Sequence, residues 1–458
     1  MRRSSTLPLA LTLAAAVAFG LAAPAQAGPA GSARAAGSAR AAALDRDGVD
    51  AVAVGASGID RSGVDGSGVG RSGVDGSGVG RSGIDGSGVG RSGIDREALR
   101  AAMVLRPDDG VAGIVAEVHK GGETWRGTSG DTVSGRRVSP EAHFRIGSIS
   151  KPMEAVILLQ LAGEGRVDLD RSVQDYLPGL LPESRFREPI SVRQLLNHTS
   201  GLPDDFEGAP APSPEEEIER RLDYLPFDEV IEQTLRPEGR PAPGPHFSPG
   251  TRQQYNSFGY RIAGKLIEEI TGHSYQYEAT TRILRPLRMR ETRAAVPDRS
   301  TAVPRPYLAG YLSRSDGRPV DANVQGGLPA SMTSTTGDLD RFITGLFDGR
   351  LLRPEQTAEL FTVPKGPDGK PLPYADDASC NSGPARGTAC FSVGLMSTPL
   401  PDGSVLWGKT GSEPGYRSGV FASRDLDRRA VYAMGTSSSV VNGAPAVAQR
   451  LALAAFAG

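Results

Sequence analysis

Four side chains in this sequence have the chemistry to move a proton and form a covalent bond together: Ser148, Lys151, Tyr255 and Lys409. The first two stand in FRIGSISKPMEAVILLQL, Phe144 to Leu161, directly ahead of an apolar run with helical spacing at Met153, Ile157 and Leu161. If that run is a helix, residues three apart share a face, so Ser148 meets Lys151 while Ser150 points elsewhere. A serine hydroxyl becomes a nucleophile when a neighbour takes its proton, and a partly desolvated lysine can do so. The N–H groups of the first turn have no helical partner; one can donate to an oxyanion, and Pro152 is tolerated there. Taken alone, the pair also fits an N-cap serine beside a solvated lysine. Lysine usage adds weight to the chemical reading. Only six lysines, at 120, 151, 265, 365, 370 and 409, stand among 51 basic residues. Where charge suffices the chain uses arginine, which does not deprotonate in this range.

Lys409 lies in LWGKTGSEPGY, where a strand runs into Gly411. A Lys and Thr on an edge strand, with a glycine allowing close backbone approach, can grip a carboxylate while a strand N–H completes an oxyanion hole. The plainer alternative is a turn with a surface lysine. Tyr255, in PGTRQQYNSFGY, precedes a helical pattern. Near two lysines its phenolate is favoured and it can relay protons; alone it fits half-buried packing.

These residues need a scaffold. GIVAEVH (Gly113 to His119) and ETWRGTS (Glu123 to Ser129) read as a strand hairpin. SVLWGKTG, YRSGVFASRD and RAVYAMGTS read as three more strands near the end, followed by a helix through Val447 to Phe456. Between them, from about 163 to 360, helical patterns such as YRIAGKLIEEITG (Tyr260 to Gly272) are broken by Pro-rich loops at 208–214 and 236–249. Strands at both ends and helices between predict one α/β sheet domain, 96–458, with a helical insertion.

The joint pattern resembles the serine β-lactamase-like family, which includes class C β-lactamases, esterases and secreted D-alanyl-D-alanine carboxypeptidases, most closely the Streptomyces type. The resemblance rests on FRIGSISK, LLNHTSGLPD (Leu195 to Asp204), FSPGTRQQYNSFGY, STTGDLDRFI (Ser334 to Ile343) and GKTGSEPGYRSGVFASRD, in the order that penicillin-recognising enzymes show. It implies the β-lactamase/transpeptidase-like fold, an antiparallel sheet flanked by helices. It implies Ser148 as nucleophile, Lys151 as its proton-transfer partner and Tyr255 as general acid/base. Lys409 and Thr410, ahead of Gly411, would bind a terminal carboxylate, and the N–H groups of Ser148 and Ser412 would form the oxyanion hole. One position departs from the pattern: the family's Tyr-x-Asn is here Tyr255, Asn256, Ser257. Ser257 cannot offer the paired donor and acceptor of an amide, which favours ester over peptide substrates, unless Asn256 takes its place. The implied substrates are peptidoglycan stem peptides or other small acyl compounds, with β-lactams as inhibitors or substrates. A carboxypeptidase is the expected activity, with a β-lactamase or esterase on the same site as the alternative. A non-catalytic penicillin-binding receptor is a third reading, against which the complete residue set argues.

Other chemistries find little support. The chain has no GxSxG or HExxH, and its five histidines, at 119, 143, 198, 246 and 273, show no metal spacing. No cofactor or metal is expected, and His198 reads as structural. Basic and acidic residues, 51 and 53, balance, so no nucleic acid is expected as a partner. Met1–Ala27, with Arg2, Arg3, an apolar stretch and an A-x-A end, reads as a signal peptide rather than a retained anchor, and with no later span predicts a secreted monomer. Residues 28–95, carrying the decapeptide RSGVDGSGVG from Arg61, read as a Gly/Ser-rich linker. Cys380 and Cys390 are expected to form a disulfide, the alternative being free thiols.

Overall fold

In the computed structural model of the chain, residues 93–456 are described, apart from 132–134, 136, 298, 376–384, 401 and 439–444. The expected signal peptide, the repeats and Cys380 lie outside the described residues, so the expected disulfide does too; Cys390 is buried.

Strand alternation builds the centre. In β1 (Val111–Lys120), Ile114, Ala116 and Val118 point to one face and Val115, Glu117 and His119 to the other. The glycines at 121 and 122, both at positive φ, turn the chain back into β2 (Glu123–Gly130). Much later, β3 (Met396–Pro399), β4 (Val405–Glu413), β5 (Tyr416–Ser423) and β6 (Arg428–Thr436) form a meander, and β6 pairs with β1. The antiparallel sheet runs β3-β4-β5-β6-β1-β2. The hairpin and the three late strands thus form as the sequence suggests, with β3 added at the edge.

Both faces are covered, which is why the strands are buried almost along their whole length. The flanking helices are α1 (Arg96–Ala102), α2 (Ser150–Gly163), α3 (Phe258–Thr271), α4 (Thr336–Phe347) and α5 (Ala446–Phe456). Leu99 of α1 and Val447, Leu451 and Phe456 of α5 pack with Ile114, Ala116 and Val118. On the other face Leu339, Phe342, Ile343 and Leu346 of α4 join Val115, Val420 and Val431, and this core continues through α2 and α3.

The α2 helix is the centre of that second layer. It buries 11 residues, from Ser150 to Leu161, on all sides. A helix apolar all round is one surrounded by protein, so the Met153–Ile157–Leu161 stripe is part of a wider buried surface. The α3 helix is one-sided and stops at Gly272, whose φ of 72° and N–H bond to Glu268 O close it. Between α3 and α4 the chain is not helical throughout: short strands occur from Arg293–Ala294 to Met332–Ser334. No helix among the described residues is long and apolar enough to cross a membrane.

Candidate active site

Residues Gly147–Ile149 form one 3-10 turn that runs straight into α2, and no side chain caps either helix start. That removes the N-cap reading of Ser148. Lys151, only 3% exposed, donates from Nζ to Ser148 Oγ at 3.1 Å. Ser150 is buried in the packing of α2. The i, i+3 relation read from the sequence is therefore the relation observed.

Tyr255 arrives from the segment before α3 and its hydroxyl donates to Ser148 Oγ at 2.8 Å. Its own N–H bonds Tyr374 Oη at 2.9 Å, and its ring lies 4.7 Å from that of His198 and 5.3 Å from that of Phe391. The ammonium groups of Lys151 and Lys409 stand 5.3 and 4.7 Å from the same ring centroid. Burial by itself raises the proton affinity of the phenol, but the two lysine charges, with hydrogen bonding to Ser148 and Lys151, bring it down to about 7. Tyr255 is thus poised to exchange a proton with Ser148 near neutrality.

The KTG strand is β4, and two glycines let it touch the Ser148 turn. A Cβ on Gly411 would fall 1.9 Å from Ile146 O, and one on Gly147, at φ 52°, would fall 2.6 Å from Ser412 O. Ser418 Oγ of β5 donates to Ile146 O at 3.1 Å, tying the same turn to the sheet. The backbones of Ser148 and Ser412 are thereby neighbours, as two oxyanion donors must be. Thr410 is buried. Lys409 is 4% exposed, and its Nζ donates to Thr410 O at 3.0 Å besides facing Tyr255. Burial lowers its proton affinity, Tyr255 opposes this and Lys151 adds to it.

The second motif answers the question raised by Ser257. Asn256 does not take the missing asparagine's place: it is buried, its Nδ2 donates to Leu202 O and Pro203 O at 3.0 and 2.7 Å, and its Oδ1 accepts from the Gly259 N–H at 2.6 Å. All its capacity goes into holding the 202–204 turn against α3. Ser257 is half-buried and makes no side-chain cap bond to the helix it begins. His198 is buried, with φ 61°, and its Nδ1 accepts from the Asn256 N–H at 3.1 Å. Burial, then the charges of Lys151 and Lys409, hold it well below the usual imidazole range. Its imidazole packs against the rings of Tyr255 and Phe391.

Several contributors carry no local signature. Buried Gln253 donates to Asn197 O and Phe391 O and accepts from the N–H groups of Cys390 and Phe391, pinning three segments together behind Tyr255. Glu154, one turn beyond Lys151, is fully buried. A further polar group lies away from Ser148, where Glu117, His119 and Asp340 converge with ligand atoms within 4.8 Å of one another. It is already neutralised, for Arg126 bonds Glu117 at 2.8 Å and Arg429 bonds Asp340 at 2.8 Å. Spacing could not reveal it because Asp340 comes from α4.

Known proteins resemble this chain in sequence and fold. The family model described as "Beta-lactamase" matches residues 96–455. Esterase EstB of Burkholderia gladioli is 30% identical over 239 residues, 51% of this chain and 57% of its own length. Penicillin-binding protein 4 of Amycolatopsis lactamdurans is 28% identical over 160 residues, 35% of this chain and 38% of that protein. The chain thus spans less than two thirds of either curated relative. Among solved structures, a D-stereospecific amidohydrolase from Streptomyces sp. is similar at a TM-score of 0.64 and 28% identity, over 80% of this chain and 99% of that one. A D-amino acid amidase from Ochrobactrum anthropi SV3 is similar at 0.60 and 25% identity, over 78% and 97%.

Proposed function

Because the chain belongs to the beta-lactamase family of serine hydrolases, we propose that Ser148 attacks the carbonyl between two terminal D-alanines of a peptidoglycan stem peptide, as an exported carboxypeptidase would. The observation that carries this reading is the Ser148 hydroxyl held by Lys151 Nζ at 3.1 Å and Tyr255 Oη at 2.8 Å. In its phenolate form Tyr255 accepts the Ser148 proton as Oγ bonds to the carbonyl carbon, with Lys151 and Lys409 stabilising the charge that passes between them. The oxyanion sits on the N–H groups of Ser148 and Ser412. Tyr255 then returns the proton to the departing amine, D-alanine leaves, and water enters by the same route to release the acyl group. Lys409 and Thr410 hold the terminal carboxylate in this scheme. A β-lactam would acylate the same oxygen. The signal-like segment at 1–27 supports export to the wall.

Two observations favour a second reading, hydrolysis of a D-amino acid amide or a simple ester. Ser257 offers a single hydroxyl to the acyl amide, and Lys409 is turned inward to Tyr255 and Thr410 O. EstB is named an esterase, and two of the solved relatives are named an amidohydrolase and an amidase. The test measures D-alanine release from a D-alanyl-D-alanine peptide, turnover of a D-amino acid amide, a short ester and nitrocefin, and labelling by a fluorescent penicillin. Fastest turnover of the peptide, with labelling lost in Ser148→Ala, is expected. Faster amide or ester turnover selects the second reading, and absence of both labelling and turnover overturns the serine-hydrolase reading itself.

A further inference from the structure

Glu117 and His119 alternate along β1 and so share one side of the sheet, the side on which α4 packs and from which Asp340 approaches them. His119 Nε2 stands 3.1 Å from Glu117 Oε1 and 3.4 Å from Asp340 Oδ1, and the three ligand atoms lie within 4.8 Å of one another. Zinc bonds of about 2.0–2.1 Å to nitrogen and oxygen set tetrahedral edges of about 3.3 Å, so two of the three separations already match. A metal-ligating histidine also needs a partner for its other nitrogen. Thr124, opposite His119 on β2, supplies it, with Oγ1 3.0 Å from Nδ1. The ion pairs do not exhaust the group. Arg126 and His119 both meet Glu117 at Oε1, and Arg429 meets Asp340 at Oδ1. The second Glu117 oxygen, Oε2, is buried and makes no hydrogen bond among the described residues, on a side chain only 3% exposed. A carboxylate oxygen buried without a donor is costly, and a cation is the partner it lacks. Arg126 lies on the edge strand β2 with 59% of its side chain exposed, so it can turn out to water at little cost. Arg429 is tied to Leu426 O as well and stays in place.

We propose that Glu117, His119 and Asp340 form a zinc site that clamps α4 to the sheet. One imidazole with two carboxylates suits zinc, whereas calcium takes six to eight oxygens and magnesium an octahedral set rich in water. His119 Nε2, one oxygen each from Glu117 and Asp340, and a water fill the four positions, and Arg126 gives up its place to the ion. With His119 neutral, the Nε2–H that faces the two carboxylates is exchanged for the metal: its proton passes to Nδ1, Thr124 changes from donor to acceptor, and no proton is released. The charges of the two carboxylates cancel that of the ion. The Glu117 register row ends at Lys409 three strands away, so the metal acts on stability, and the inference does not depend on the reading of Ser148.

The test titrates the full chain, first stripped with a chelator, with zinc by calorimetry and thermal melting, using magnesium and calcium as controls. One equivalent of zinc should bind and, at about a hundred times the dissociation constant, raise the melting temperature by a few degrees. His119→Ala and Asp340→Asn should weaken binding by about ten-fold or more. Arg126→Ala removes the competitor and should tighten zinc binding by about three- to ten-fold. That gain separates a metal site from a plain ion-pair cluster, in which the same substitution only lowers stability. Zinc bound by no form of the protein, or by Arg126→Ala alone, overturns the inference. So does equal binding of magnesium or calcium, and so does zinc binding that His119→Ala leaves unchanged, which marks an adventitious ion only. X-ray absorption of the zinc-loaded wild type needs no variant to fold. It should show one imidazole among oxygen ligands at about 2.0 Å, and two imidazoles or a sulfur ligand would decide against the site.

Discussion

Lys409 and Glu117 occupy one row of the sheet. The register runs Lys409 to Val420, Val420 to Val431 and Val431 to Glu117, so the two face the same side, three strands and roughly 14 Å apart. Both are buried, yet their surroundings oppose each other. Around Glu117 each carboxylate meets an arginine: Arg126 bonds Glu117 at 2.8 Å and Arg429 bonds Asp340 at 2.8 Å, with His119 3.1 Å from Glu117. Burial pushes the Glu117 carboxyl up, but the bonds from His119 and Arg126 win and hold it at about 2. Around Lys409 stand a second lysine, Lys151, and the Tyr255 phenol, and proton affinities are displaced toward neutrality. Paired burial makes a strut, and unpaired burial makes groups that exchange protons.

Replacing Ser148 by Ala should break the contrast hardest on one side only. Ester and peptide turnover should fall by about four orders of magnitude or more, with a melting temperature shifted by at most a few degrees. Tyr255→Phe should follow, slowing kcat by about 10²- to 10⁴-fold and abolishing the rise in kcat/KM near pH 7, since only the phenolate form present above that midpoint accepts the Ser148 proton.

The strut should behave in reverse. Glu117→Gln is expected to cost about 1–3 kcal/mol of stability while leaving turnover per folded molecule unchanged. Its folded proton affinity is depressed, so its contribution is present above the ordinary value of 4.5 and is lost as pH falls through about 2. Melts from pH 6 to pH 2 should therefore show wild type and variant converging. Glu154 should show the opposite sign. Its raised affinity favours the folded state below 4.5, and that advantage is lost as pH rises through about 8, so Glu154→Gln should gain relative stability toward alkaline pH. The smallest effect is expected at Ser257. Its replacement by Ala should raise KM for the peptide by about three- to ten-fold, the loss of one hydrogen bond, and leave esters and stability untouched.

Much of the frame was legible. Alternation marked β1, β2 and the late strands, and the Ser148–Lys151 spacing needed only the helix that its apolar run announced. The edge strand β3 was missed because four residues, Met396 to Pro399, are too short for a periodic signal. The role of Asn256 was misjudged as a possible stand-in because its partners, the carbonyls of Leu202 and Pro203, come from a turn more than fifty residues away. Gln253 escaped notice for the same reason: RQQY looks like any polar stretch until the segments it joins are folded together.

The sequence by itself determined which atoms are present for chemistry and which of them are local neighbours, because helix and strand periods convert spacing directly into proximity. Only the tertiary structure decided what those atoms do with their protons. The Tyr255 phenol sits between lysines from α2 and β4, and no spacing rule relates 151, 255 and 409. Electrostatic coupling depends on distance through space and on how much water is excluded, and both are set when the three segments pack together and bury Lys151 and Lys409. The same rule separates Glu117 from Glu154: two buried carboxyls, one paired and held at about 2, the other unpaired and held near 8.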